Sequence, residues 1–141
     1  MSEDAFQKRL RTIDDAKGEE DWFSAFANAV SYFEHYGYFA IRAYCVRKKV
    51  KLTNTAMEPL KRLGAGNIAL LLRILNLIDN DTYSNMKKII KERNRLVHPA
   101  GKGIRYRDQK KKDTATLLLN QAEGCLRKIR DRIKLSKTEK G

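Results

Sequence analysis

Arg93 and His98 are the residues of this 141-residue chain whose types and spacing best fit chemistry on a phosphate. They stand in "KERNRLVHPAGKG", Lys91 to Gly103. Arginine presents a planar fork of N–H donors that matches phosphate oxygens two at a time. Histidine is the side chain that takes and gives a proton near neutral pH. Asn94 lies four residues before His98, one helical turn away, where its amide can orient the ring. Arg93 and His98 are five apart, about 140° around a helix axis. They cannot converge on one small atom across a flat face. They can flank a groove, especially one shared with a second helix.

The helix that must position them is expected from Thr82 to about Val97, with Asp81 as N-cap. Met86, Ile89, Ile90, Leu96 and Val97 make its apolar stripe, and Arg93 falls inside that stripe. An unpaired buried charge costs about several kcal/mol. Arg93 must therefore snorkel, pair with a carboxylate such as Glu34 or Glu58, face a second subunit, or hold an anion. Pro99 disfavours the α conformation at His98, so the helix should end there. The last carbonyls carry partial negative charge and favour the imidazolium.

Around that helix, period 3.6 dominates and short alternating runs are few. Phe6, Leu10 and Ile13 share a face of a first helix, about 3–16, and "KGEED" at Lys17–Asp21 breaks it. A long helix follows from about Asp21 to Val50, with Phe26, Val30, Phe33, Gly37, Ile41 and Tyr44 at spacings of three and four. Nine of the twelve aromatics lie between Trp22 and Tyr44, a pattern of core or helix–helix contact rather than of a ligand box. His35, among them, reads as structural. Gly37 inside this stripe marks a kink or the close approach of another helix, since glycine there costs about 1 kcal/mol against alanine. "TAME" has capping-box spacing and starts a short helix from Thr55 to Leu63. Gly64 and Gly66 then open a helix over about Asn67–Ile78, apolar nearly all round and so expected at the centre. Asp113 can cap a last helix to about Leu135, with Leu118, Ala122, Cys125, Ile129 and Ile133 inward. The expectation is an all-α antiparallel bundle of four to five main helices over 1–135, with a frayed basic tail at 136–141.

Composition sets the partners. The chain is 42% hydrophobic, enough for a core, and has a formal net charge of +13. Residues 1–40 hold four cations against eight acids, a net of −4, which leaves +17 for the rest. Such an excess attracts a polyanion, RNA or DNA above all, although lysine-rich surfaces also serve solubility alone. The segment Pro99–Lys112 is expected as a basic loop in which Lys102, Arg105, Arg107, Lys110, Lys111 and Lys112 hold a nucleic-acid backbone and Tyr106 stacks on a base. No run is apolar and long enough to span a membrane, and no signal peptide is visible, so the expected compartment is the cytoplasm. Cys45 and Cys125 lack metal-ligand spacing and read as reduced, part-buried thiols; no metal or cofactor motif is present.

"RNRLVH" resembles the motif of HEPN domains: an arginine, a polar residue that is often Asn or Asp, and a histidine four to six residues further on, four here. Its place at the end of the third main helix of an all-α bundle, before a last amphipathic helix, is similar to that family too. Some toxin-type members carry a tyrosine two residues after the histidine. Ala100 stands there, so the tyrosine-dependent chemistry is not supported. The resemblance implies metal-independent RNA cleavage, without cofactor, by a homodimer whose two motifs meet across a cleft, with Arg93, Asn94 and His98 catalytic. The setting would be a toxin or defence system with an antitoxin or other protein partner. Two other readings stay open: a non-catalytic HEPN-like module that binds nucleic acid or a protein, and a small basic subunit of a nucleoprotein assembly. An Arg93 sealed in an internal salt bridge would favour the former of these over the nuclease.

Overall fold

A computed structural model of the protein describes residues 3–97 and 106–140, with side chains as far as residue 134. Among the described residues there are six helices and no strand: α1 (Glu3–Gly18), α2 (Trp22–Arg47), α3 (Asn54–Lys61), α4 (Ala65–Ile74), α5 (Asn80–Leu96) and α6 (Gln109–Lys140). None is long and apolar enough to cross a membrane. The all-helical expectation holds, with more elements than the four to five main helices expected.

The apolar periodicities explain the assembly. Phe6, Leu10, Ile13 and Ala16 seal α1 onto α2. Asp21 starts α2 by accepting from the Ser24 N–H at 3.2 Å, and ten residues of α2 are buried. α2 is the centre of the bundle, packed against α1, α4, α5 and α6. Each buried Leu, Ile or Phe contributes about 1.5–3 kcal/mol, whereas an exposed ion pair contributes about 0–1. The core therefore holds the bundle, and the surface pairs decorate it. The buried Tyr36 hydroxyl is satisfied by Arg9 Nη1 at 2.7 Å. His35 is half-buried edge-on to Tyr36 and Phe39, and burial, then the Arg9 charge, push its pKa down.

Several boundaries differ from those expected. Thr53, not Thr55, caps α3: it is extended, and its hydroxyl accepts from the Ala56 N–H, while Glu58 pairs outward with Lys61 and Arg62. α4 ends at Ile74 rather than Ile78, because Asn76 takes a left-handed φ of 59°, a conformation asparagine tolerates. Nor is α4 buried all round. Ala65, Ile68, Ala69 and Leu72 face inward, while Leu70 and Ile74 are exposed. Asp79, not Asp81, caps α5 through the Thr82 N–H at 2.8 Å. Asp108, not Asp113, caps α6 through the Lys111 N–H at 2.8 Å. Inward positions of α6 include Leu119 and Leu126, with Leu118 only half-buried, and the backbone of 136–140, expected as a tail, continues the helix.

Both cysteines are free; Cys125 is buried, with a thiol pushed up to about 12 by burial. At the α1–α6 contact, burial and a hydrogen bond with Asp14 push Glu123 up to about 7, against the pull of Lys17 and Arg127. Between its ordinary value of 4.5 and 7 the folded chain keeps a proton that the unfolded chain has lost. This contribution is fully present below 4.5 and declines as pH rises through that window. For a half-exposed site the effect is about 1 kcal/mol after screening by water. Thermal melts at pH 5 and pH 8 should show wild type losing stability relative to Glu123→Gln, which keeps the hydrogen bond without titrating. A difference that does not change with pH would contradict this.

Candidate functional site

The last turn of α5 is the site's foundation. Met86, Ile89, Ile90 and Leu96 are buried there as expected, but Val97 is 48% exposed. It lies about 100° around the axis from Leu96, on the side away from the core. Glu92 takes the place in the stripe, at 9% exposure, three after Ile89 and four before Leu96. Its cost is met locally. The Tyr106 hydroxyl donates to Glu92 Oε2 at 2.6 Å, and Arg95 approaches Glu92 Oε1 at 3.7 Å. Its spacing was there to be read in the sequence and was passed over in favour of Arg93.

Arg93 itself is half-buried on the inner side of α5. Its Nε donates to Asn94 Oδ1 at 2.9 Å, and among the described residues it makes no ion pair. The salt bridge to Glu34 or Glu58 weighed from the sequence is absent there, and Glu58 is engaged by Lys61 and Arg62. Asn94 is exposed beside it. The structure thus brings Arg93 and Asn94 together with the guanidinium oriented by the amide, and leaves its charge uncompensated by any described carboxylate. Such a group can receive an anion. His98, Lys102 and Arg105 lie outside the described residues.

The expected basic loop is not all loop. Lys110, Lys111 and Lys112 sit on the first turn of α6, because Asp108 caps that helix. Lys110 and Lys111 are exposed, and Lys112 pairs with Glu20 at 3.2 Å. Tyr106 is not a free platform for a base. Its ring packs 5.4 Å from Trp22, and its hydroxyl is held by Glu92. Arg107 is exposed. A recess of about 230 Å³ opens beside Tyr106, lined by Glu20, Asp21, Trp22, Phe23 and Leu96. Comparison of the chain with protein-family models, with curated proteins and with solved structures gives no match.

Proposed function

We propose that the chain is a metal-independent endoribonuclease of the HEPN type, acting as a homodimer in a toxin or defence setting. The observation that supports this best is Arg93: half-buried in the last turn of α5, aligned by Asn94, and paired with no carboxylate among the described residues. A salt-bridged arginine would be a structural device; this one has a charge to offer a phosphate. In the proposed reaction the RNA 2′-oxygen gives up its proton to a base and attacks phosphorus. The bond from phosphorus to the 5′-oxygen breaks, and that oxygen takes a proton from an acid. His98 moves one of these protons, and Arg93 stabilises the extra negative charge on the phosphorane-like oxygens. The products are a 2′,3′-cyclic phosphate and a 5′-hydroxyl.

RNA with a single 2′-deoxy sugar at the cut site should resist cleavage at that site, because the nucleophile is gone, and cutting elsewhere should continue in EDTA. Gel analysis of end-labelled products checks both. Cutting at the deoxy site, or loss of all activity in EDTA, would overturn the mechanism. A second reading, a helical module that binds nucleic acid without cutting it, is favoured by the outer face of α5, whose cations need no catalytic partner.

A further inference from the structure

Every cation of α1 and α6 that forms an ion pair does so with a nearby acid: Lys8 with Asp4, Lys17 with Asp14, Lys128 with Asp79, Arg130 with Glu3. α3 is the same, with Lys61 and Arg62 on Glu58. α5 is different. Lys87, Lys88 and Lys91 are exposed and, among the described residues, meet no carboxylate within ion-pair distance. The helix has two acids. Asp81 is in the first turn, and Glu92 is buried and taken by Tyr106 and Arg95.

The angular positions make this a row. At 100° per residue, Lys87, Lys88, Lys91 and Arg95 fall within one arc of about 100°, on the side of α5 opposite Met86, Ile89 and Arg93. Lys87, Lys91 and Arg95 are four residues apart, about 6 Å along the axis at each step. That spacing is close to the distance between neighbouring phosphates of an extended single strand, so one strand laid along α5 meets a cation at each phosphate. A nucleic acid repeats its charge at every nucleotide whatever its sequence, whereas a peptide does so only where its acids fall at that spacing. Like charges at i,i+4 on an exposed helix disfavour it by about 0.2–0.5 kcal/mol per pair, so the row carries a small cost when empty that an anionic strand relieves.

We infer that the outer face of α5, Lys87, Lys88, Lys91 and Arg95, is a track for the phosphate backbone of single-stranded nucleic acid. This rests on the reading above only in taking nucleic acid as the ligand; it needs no cleavage. Tyr83, whose ring centroid lies 5.5 Å from Lys87 Nζ, borders the track; the lysines themselves meet phosphates and carry no base specificity. Arg93 is on the other side of the helix, so the phosphates on the track are not the one Arg93 receives.

The test uses a fluorescent 2′-O-methyl oligouridylate of about 20 nucleotides, which cannot be cut by 2′-oxygen attack. Binding is then measured apart from any catalysis. Anisotropy titrations over a salt series compare wild type, the triple variant Lys87→Gln/Lys88→Gln/Lys91→Gln, and a charge-matched control, Lys48→Gln/Lys49→Gln/Lys51→Gln, whose lysines are also exposed. Helical circular dichroism confirms that each is folded. The track variant should lose roughly tenfold in affinity at low salt, and its salt slope should fall by about 2, at about 0.7 per phosphate contact. The control should keep most of the wild-type slope. Equal losses in both variants would show an effect of net charge alone and overturn the track. So would an unchanged slope, stronger binding of a duplex than of the single strand, or displacement by polyglutamate at the same charge concentration. If the track variant loses binding and wild type never cuts RNA, the track stands and the nuclease falls.

Discussion

Arg93→Ala and His98→Ala should each lower the rate of RNA cleavage by about 10²–10⁴-fold while the chain stays folded. The rate loss follows from the proposed roles: proton transfer by the His98 imidazole, and stabilisation of developing phosphate charge by the Arg93 fork of donors. The preserved fold follows for Arg93 from the structure. Its described partner is the exposed Asn94, so alanine leaves no described carboxylate stranded in the core. The change in stability should stay within about 0.5–1 kcal/mol. Arg93→Lys should recover part of the rate, because charge remains while the bidentate fork is lost. Initial rates with a fluorogenic RNA, paired with urea melts of each variant, measure both. An Arg93→Ala protein that cuts at the wild-type rate would remove Arg93 from the mechanism. A protein that unfolds would show that the arginine supports the bundle.

The second large effect is on stability. Gly37→Ala should destabilise the protein by about 1–2 kcal/mol, although alanine is the better helix former by about 1 kcal/mol. The reason is α4. A Cβ at Gly37 would collide with Ile68 Cγ2 and touch Leu72 Cδ1 at 3.4 Å. Ile68 is 1% exposed and β-branched, so its χ1 is nearly fixed in a helix and it cannot turn away. Overpacking of this kind costs about 1–3 kcal/mol and outweighs the propensity gain. Ile68→Ala should itself destabilise by opening a cavity, but the double variant should be more stable than the sum of the two losses, since the new methyl enters the vacated space. Urea denaturation of the four proteins gives the coupling. A stabilised Gly37→Ala would mean that α2 and α4 are not in close contact there.

Gly37 shows what a sequence can disclose. A glycine in an aromatic helical stripe called for a kink or a near neighbour, and α4 is the neighbour. The inward faces of α1 and α2 were equally legible, because Phe6, Leu10, Ile13, Phe26, Val30 and Phe33 repeat at helical spacing. The ends of the helices were less so. Thr53, Asp79 and Asp108 were each passed over for a capping residue two to five positions later, since Ser, Thr and Asp compete for the cap whenever several lie together, and packing selects among them. The site was legible in part. That Arg93 lies on the inner side of α5 could be read from its spacing. That Glu92 is more buried, and that it captures Tyr106 across fourteen residues, depends on where the chain returns after α5, which local periodicity does not contain. The row of Lys87, Lys88 and Lys91 was visible as composition only. What marks it out is that three exposed lysines share one face of one helix with no described carboxylate in reach, a property of the folded surface.

The central claim is that the motif on α5 cuts RNA. It is tested most directly by incubating mixed cellular RNA in EDTA with wild type and with His98→Ala at equal concentration, then identifying the new ends. Fragments ending in 2′,3′-cyclic phosphate and 5′-hydroxyl, produced by wild type and absent with His98→Ala, are the predicted result. RNA left intact by wild type, or cut equally by both proteins, would contradict it.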